Sequence, residues 1–423
     1  MKIITTSIIT IGDELLIGQV VDTNSAWMAQ ELNRVGIPVI RRVAVGDVAA
    51  DIRRAFDQEL EAADVVLVTG GLGPTADDIT KPLLCDYFGG NMVLNQEVLA
   101  HVQYLFEKVY QRPMIPRNAQ QAEVPDNCRV LHNANGTAPG MWFERNGKIL
   151  VSMPGVPFEM KGLMLDQVIP ELVQRFRLPG ILHRTLLTAG IGESFLAERI
   201  QSFETALPTH IRLAYLPHYG MVRLRLSATG FETAQLEAEM ETCFQQLQNM
   251  LQDVVVNNRD EPMEKTVADL LLATGSTLGT AESCTGGYIA HLLTSMPGSS
   301  RYYKGSVIAY ANEVKTGLLQ VPENILESVG AVSEETVVQM VKGALEALHT
   351  DYALATSGIM GPDGGSIEKP VGTVWIAAGN RQSVKALRLK FRFDRERNIQ
   401  LAAFNALNFL HKFILEQAPV PKN

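Results

Sequence analysis

Short apolar runs rich in β-branched residues alternate with stretches of helical periodicity through the first 170 residues. KIITTSIITI (Lys2 to Ile11) is the first such run, and IPVIRRVAV and DVVLVTGG are the next two. GDELLIGQVVD follows the first as a loop. TNSAWMAQELNRV and DVAADIRRAFDQELEAA space their apolar residues as helices, with Thr23 or Asn24 capping one and Asp47 the other. PTADDITKPLLCDYFG continues as a helix, and KILVSMPG with VPFEMKGLMLDQVIPELVQRF repeats strand, loop and helix. Such alternation predicts a parallel sheet covered by helices on both faces.

The rhythm changes after Pro170 and the Leu178-Pro179-Gly180 stretch. LHRTLLTAG reads as a strand, GESFLAERIQSF as a helix, and IRLAYLP with MVRLRLSATG as a hairpin about His218, Tyr219 and Gly220. FETAQLEAEMETCFQQLQNML is a long helix and DVVVN a last strand, which gives the order βαββαβ. NNRDEPMEK (Asn257 to Lys265) then opens a third region. Its helices are TVADLLLATG, TGGYIAHLLTSM, NEVKTGLL and the closing RNIQLAAFNALNFLHKFILE. Its strands are STLGTAES, KGSVIAYAN, YALATSG, VGTVWIAAG and VKALRLKFRF. The expected organisation is three domains, 1–175, 180–257 and 258–416, with a disordered tail at 417–423.

Composition narrows the function classes. Charged residues make up 20% of the 423, too few for a disordered chain. Lys plus Arg is 37 against 46 Asp plus Glu, a net charge of −9, which argues against a dedicated nucleic-acid binder. No apolar run approaches the roughly 20 residues of a membrane span. Lys2 is a lone basic residue, and Ser7, Thr10, Asp13 and Glu14 interrupt the first apolar stretch, so it is not a signal peptide. The four cysteines (Cys85, Cys128, Cys243, Cys284) contain no CxxC pair, and the eight histidines show no close metal spacing. A cytoplasmic protein is expected.

Three polar loops fall at the carboxyl ends of predicted strands, where open α/β sheets bind ligands. The first carries Gly12, Asp13 and Glu14, with Asp22 and Asn24 beyond. The second is Thr69-Gly70-Gly71-Leu72-Gly73-Pro74-Thr75, followed by Asp77 and Asp78. The third is Met153-Pro154-Gly155-Val156-Pro157, with Glu159 after it. Glycines ahead of a helix let backbone N–H groups approach an anion. Asp77 and Asp78 would repel a bare phosphate, so a divalent cation bridging carboxylate and phosphate is favoured over simple helix-dipole complementation. Gly70, Gly71, Gly73 and Thr75 are the candidate phosphate ligands, and Asp13, Asp77, Asp78 and Glu159 the candidate metal ligands. GDELLIGQVVDTN, TGGLGPTADDIT and MPGVPFEM, with GTAPG (Gly136 to Gly140) and PRNAQQAEVP, resemble the N-terminal domain of the CinA family of competence/damage-inducible proteins. That resemblance implies a doubly wound sheet of molybdopterin-binding type and metal-dependent ADP-ribose pyrophosphatase activity. Lys81 stands where the family usually has Arg, so the charge is kept.

The third region carries Ala281-Glu282-Ser283-Cys284-Thr285-Gly286-Gly287 between a strand and a helix. A nucleophile there is lifted by the turn, and the glycine N–H groups could form an oxyanion hole. The residues alone leave Ser283, Cys284 and Thr285 as rivals. No histidine sits in a partner motif, and the nearby candidates are Tyr310 and Lys315 in VIAYANEVK; a buried lysine can act as base. AESCTGG, PGSSRYYKGSVIAYANEVK, TSGIMGPDGG and KPVGTVWIA resemble the C-terminal CinA domain, a nicotinamide-nucleotide amidohydrolase family with an α/β fold. The resemblance places the nucleophile on Ser283, with Tyr310 and Lys315 as its partners and no cofactor. Thr285, Gly286 and Gly287 would contact substrate, and the loop containing Gly358, Gly361 and Gly364 would wrap a ribose phosphate. Arg395 is the best match to the family's phosphate-holding Arg and Arg397 the second, although Phe393 replaces the usual Gly before the Asp-Arg pair. Met360 is expected to narrow the pocket.

The middle α+β region matches the family's KH-like connecting domain. GIGE (Gly190 to Glu193) has the wrong spacing for an RNA-binding loop, and residues 181–257 hold five Arg and no Lys against eight acidic residues, a net of −3. A linking and oligomerising role, in a homodimer, is expected. The combined expectation is a bifunctional hydrolase of small-molecule nucleotides. It would convert nicotinamide mononucleotide to nicotinate mononucleotide, and ADP-ribose to AMP and ribose 5-phosphate. The rival readings are a nucleotide- or molybdopterin-binding module without turnover and, on the family's name alone, a DNA-uptake accessory.

Overall fold

The structure, a computed structural model, describes residues 3–75, 77–218 and 221–417. Tyr219 and Gly220 of the expected hairpin turn, and 418–423 of the expected tail, lie outside the described residues. The chain falls into two compact units, Met1–Leu182 with Ala228–Glu239, and His183–Ser227 with Met240–Asn423. Among the described residues no helix is long and apolar enough to cross a membrane.

In the first unit, strand Val65–Thr69 is buried at every position, as a strand covered on both faces must be. It lies in a six-stranded sheet ordered Val39–Val45, Thr6–Ile11, Val65–Thr69, Lys148–Met153, Gly140–Arg145, Arg129–Leu131. The first four strands pair in parallel, as the alternating pattern predicts. The last two are antiparallel, an addition that the alternation does not predict. Asn146 and Gly147 join Gly140–Arg145 to Lys148–Met153 with φ of +54° and +74°, the left-handed pair that a two-residue hairpin requires. Successive strand residues alternate between two cores. Ile8, Val65, Leu67 and Val151 pack on one face with Met28, Leu32 and Met160. Ile9, Val66, Val68 and Leu150 pack on the other with Ile52 and Phe56. All the parallel strands therefore end at one edge, where Gly12, Gly70 and Pro154 begin the connecting loops.

A four-stranded sheet, ordered Ile211–His218, Met221–Gly230, Gly180–Ala189, Val255–Asn257, carries helices Glu193–Ala206 and Thr233–Met250 in the expected βαββαβ order. The C-terminal sheet is ordered Tyr303–Ile308, Leu278–Glu282, Tyr352–Gly358, Thr373–Gly379, Val384–Lys390. Its first three strands are parallel and its last two antiparallel. Met263–Thr274 and Arg395–Gln417 supply one core, and Glu334–Leu348 the other.

Gly343 lies inside helix Glu334–Leu348, and a Cβ there would meet the Leu319 carbonyl oxygen at 2.0 Å. Gly→Ala inside an exposed helix normally adds about 1 kcal/mol of stability. The sign reverses here, because backbone cannot yield as a side-chain tip does. Gly343→Ala should cost about 1–3 kcal/mol, the range of overpacking. Calorimetric melting of the full chain checks this, and an unchanged or higher midpoint would refute it.

Candidate functional site

The loops at the first unit's sheet edge enclose a cavity of about 370 Å³, walled by Gly70, Gly71 and Gly73 and by Glu14, Asp78 and Glu159. The glycines are required. Gly70 has φ +112°, and a Cβ on it would meet the Ile11 carbonyl oxygen at 2.2 Å. Asp78 closes its own loop by accepting from the Thr75 N–H at 2.9 Å and from the Thr75 hydroxyl. Glu159 accepts from Asn133 Nδ2 at 2.6 Å, and burial raises its pKa despite that bond.

The carboxylates named from the sequence separate here. Asp78 and Glu159 share the cavity. Asp13 instead accepts from the Asp47 N–H at 3.1 Å, while its own N–H donates to Asp47 at 3.0 Å. That exchange also removes Asp47 from the cap role expected of it; the cap position is Val48. Burial raises the Asp47 pKa. Asp77 is fully exposed, and the Thr75 hydroxyl beside it holds its carboxyl below the usual range. Glu14, one residue on from Asp13, is the carboxylate that reaches the cavity. Similarly, Asp22 rather than Thr23 or Asn24 caps the first long helix, accepting from the Ser25 N–H at 2.9 Å. Asn24 spans the loops, donating to the Gly155 carbonyl at 2.7 Å.

Among the described residues no three metal-ligating side chains converge. The donors at hand are carboxylate oxygens beside a glycine-rich backbone. They suit a hard cation that keeps waters and arrives with phosphate, since Mg²⁺ commonly uses only one or two protein carboxylates. Behind the wall, Lys81 is buried and donates to the carbonyls of Gln121 at 3.0 Å and Gln120 at 3.5 Å. Burial brings its pKa down to about 8. Lys81 thus fixes Gln121, a residue of the cavity lining whose Oε1 is buried without a partner. No motif in the sequence singles out Gln121.

In the second unit, Ser283 follows strand Leu278–Glu282, and its N–H donates to the Thr356 carbonyl at 3.0 Å. Lys315 is 1% exposed. Its Nζ donates to the carbonyls of Ala309 at 2.7 Å and Tyr310 at 3.2 Å, and lies 3.2 Å from Ser283 Oγ. A neutral amine has two protons and one lone pair, so the two carbonyls occupy the protons and the lone pair is left for the serine. Burial lowers the Lys315 pKa. Cys284 is also buried, which pushes its thiol up to about 12 and leaves it un-ionised at neutral pH. Of the three rivals, only Ser283 has its side-chain oxygen within hydrogen-bond reach of the buried amine. The Thr285 hydroxyl is spent internally on Glu282 at 2.7 Å and Thr356 at 2.8 Å, so its side chain does not face substrate as expected.

Tyr310 stands apart from its expected place beside the serine. Its side chain is 61% exposed, and its hydroxyl accepts from Arg395 at 3.0 Å; only its carbonyl reaches Lys315. Arg395 also donates to the Gly361 carbonyl at 2.8 Å, which brings the glycine loop and the last helix together. Gly361 and Gly364 adopt φ of +88° and +91°. Gly358 packs on Val374, where a Cβ would approach to 2.8 Å. Arg397 lies over the Phe393 ring at 4.0 Å instead of joining Arg395. Met360 is buried in the core and therefore does not narrow a pocket. Its carbonyl accepts from Asn398 at 3.0 Å. Gly286 and Gly287 supply left-handed turns (φ +59° and +97°). Glu282, completely buried, accepts from the N–H groups of Gly287, Ile289 and Ala290, a role that its place in the motif does not signal.

Residues 7–174 match the family model described as probable molybdopterin binding domain. Residues 183–256 match the damage-inducible protein CinA KH domain, and residues 260–414 the CinA C-terminal domain. A CinA-like protein of Cytophaga hutchinsonii is 46% identical over 97% of this chain and 98% of its own length. One of Flavobacterium psychrophilum is 43% identical over 97% and 98%. Among solved structures, a CinA superfamily protein of Klebsiella pneumoniae shares 36% identity over 36% of this chain and 96% of its own, with a TM-score of 0.36. A molybdopterin biosynthesis protein of Mycobacterium abscessus is 16% identical over 40% and 92%, with a TM-score of 0.28. With three family models in succession along its length and relatives that align from end to end, the chain belongs to the CinA family.

Proposed function

We propose that the C-terminal site is a serine–lysine amidohydrolase that deamidates nicotinamide mononucleotide. The observation that carries this reading is the buried Lys315 amine 3.2 Å from Ser283 Oγ, with both competing carbonyls already satisfied. Neutral Lys315 takes the serine proton as Oγ adds to the carboxamide carbon. The protonated lysine then returns that proton to the departing nitrogen, and ammonia leaves. Water, deprotonated by the same amine, adds to the acyl carbon, and the amine passes that proton to Ser283 Oγ as the acyl–oxygen bond breaks, which yields the nicotinate nucleotide and the free serine. Arg395, presented by Tyr310 and Gly361, is the cation for the substrate phosphate.

The first unit's cavity is proposed to hydrolyse ADP-ribose to AMP and ribose 5-phosphate. Asp78 and Glu159, with Glu14 across the cavity, would hold a divalent cation, which when bound would offset the pyrophosphate charge. The glycine loop binds the phosphate oxygens through its N–H groups, and Lys81 keeps the opposite wall in place. A second reading, nucleotide binding without turnover, is favoured by the carboxylates themselves, since Asp78 is already bonded to Thr75 and Glu159 to Asn133.

Ser283→Ala should abolish ammonia release, and Cys284→Ala should keep most of it. Lys315→Met should lose about 10²- to 10⁴-fold in kcat, the usual contribution of a positioned base. The lysine must be neutral to work, so wild-type rate rises with pH through its pKa. Because burial lowers that pKa, the rise comes below the 10.5 of an ordinary lysine. Steady-state kinetics across pH test this, and an active Lys315→Met enzyme with an unchanged profile would exclude the mechanism.

For the first unit, excess chelator should eliminate ADP-ribose cleavage, and Asp78→Asn should weaken it strongly. Asp13→Asn and Asp77→Asn should have smaller effects. Nucleotide binding with no cleavage under any divalent metal would favour the non-catalytic reading. Ammonia release should survive the chelator.

A further inference from the structure

Backbone donors around Ser283 are nearly all committed. Gly286 N–H donates to the Ser283 carbonyl at 3.1 Å, and Tyr288 N–H to the Thr285 carbonyl at 3.0 Å. Gly287 and Ile289 donate to one oxygen of Glu282 at 3.1 Å each, and Ala290 donates to the other at 2.8 Å. The glycine N–H groups and the start of the following helix are therefore occupied by a carboxylate of the protein itself. Two donors remain. The N–H groups of Cys284 and Thr285 meet no acceptor on another residue among the described residues, and that of Cys284 approaches only its own thiol. Both residues are buried, at 5% and 3% exposure, and a buried N–H without a partner is costly enough to be rare. Their side chains are also committed inward: the Cys284 thiol is enclosed, and the Thr285 hydroxyl is bonded to Glu282 and Thr356. What this stretch can offer a ligand is its backbone.

We propose that the N–H groups of Cys284 and Thr285, and not those of Gly286 and Gly287, form the oxyanion hole at Ser283, with Glu282 as the positioning residue that holds the loop. This rests on the Ser283–Lys315 reading above. When Ser283 Oγ bonds to the carboxamide carbon, the carbonyl π pair moves onto oxygen and the serine proton passes to Lys315. The new negative charge falls on an oxygen that needs donors close to the nucleophile, and the two uncommitted N–H groups are those of the next two residues. Glu282 serves indirectly. By taking the N–H groups of residues 287, 289 and 290, and the Thr285 hydroxyl, it fixes the turn and keeps its own charge away from the reacting oxygen.

The test replaces one peptide N–H by an ester oxygen, through incorporation of the α-hydroxy acid counterpart of Cys284 or of Thr285 into the full chain. Each variant should lose about 10²- to 10³-fold in kcat on nicotinamide mononucleotide, the usual effect of one lost oxyanion donor. KM should change much less. Glu282→Gln keeps the side-chain shape but replaces an acceptor oxygen by a donor, and should also lower kcat more than KM. Retained binding of nicotinate mononucleotide confirms that each variant is folded. If wild type deamidates the nucleotide and both ester variants keep kcat within about threefold, far short of the loss of an oxyanion donor, the proposed hole is wrong and the serine–lysine site stands. If wild type releases no ammonia, the underlying reading falls and this inference falls with it.

Discussion

An amine enclosed in protein must either lose its proton or find enough acceptors to keep it, and Lys315 is built around that constraint. The carbonyls of Ala309 and Tyr310 come from the end of strand Tyr303–Ile308 and the turn after it, just before the short helix that carries the lysine. Strand, turn and helix must hold one another in register for two carbonyls and a serine oxygen to surround one nitrogen. The helix is then tied to the next segment of chain by the Val321 N–H, which donates to the Lys315 carbonyl at 3.0 Å. Leu319 in between presses on Gly343 of the next long helix. The packing of the core behind the site and the protonation of Lys315 are thus parts of one problem.

The first unit solves a different problem, that of gathering negative charge. Its carboxylates sit on separate segments, Glu14 and Glu159 on short helices and Asp78 in a loop, and each stands against a glycine that leaves it room. A Cβ at Gly12, Gly73 or Gly136 would meet Glu14, Asp78 or Glu159 at 2.4, 2.4 and 2.1 Å. Bare backbone is what lets three acidic side chains stand around a cavity without colliding with its walls. The second site relies on burying groups, the first on leaving room for them.

Strand and helix alternation and the β-branched strands are readable from the chain because each is local in sequence. The Ser283–Lys315 pair spans 32 residues and is expected only through the resemblance to the C-terminal CinA domain, since the residues alone leave Cys284 and Thr285 as rivals. The antiparallel edge has a signal in Asn146-Gly147, which the rule for alternating strands and helices overrides. Which of Asp13 and Glu14 faces the cavity depends on the turn of one short helix, a register that polarity does not record. Tyr310 is close to Lys315 in sequence, which suggests a place beside the serine, but a backbone carbonyl and a phenol on one residue point different ways. Met360 looks like a pocket residue because it stands in the Gly358–Gly365 loop, whereas the Asn398 bond to its carbonyl accompanies a side chain enclosed in the core. Glu282 shows no role in the sequence because most of its partners lie three to eight residues ahead and meet it only when the turn closes.

Tyr310 has two ends engaged at once: its carbonyl touches the amine of Lys315, and its hydroxyl holds Arg395. On the serine–lysine reading, one residue therefore joins the group that would move protons to the group that would grip an anion. A molecule that pulls on the guanidinium also pulls on the peptide that positions the nitrogen. On the serine–lysine reading, nicotinamide stripped of its ribose phosphate would forfeit turnover as well as grip, because the anchoring energy is spent in aligning the base.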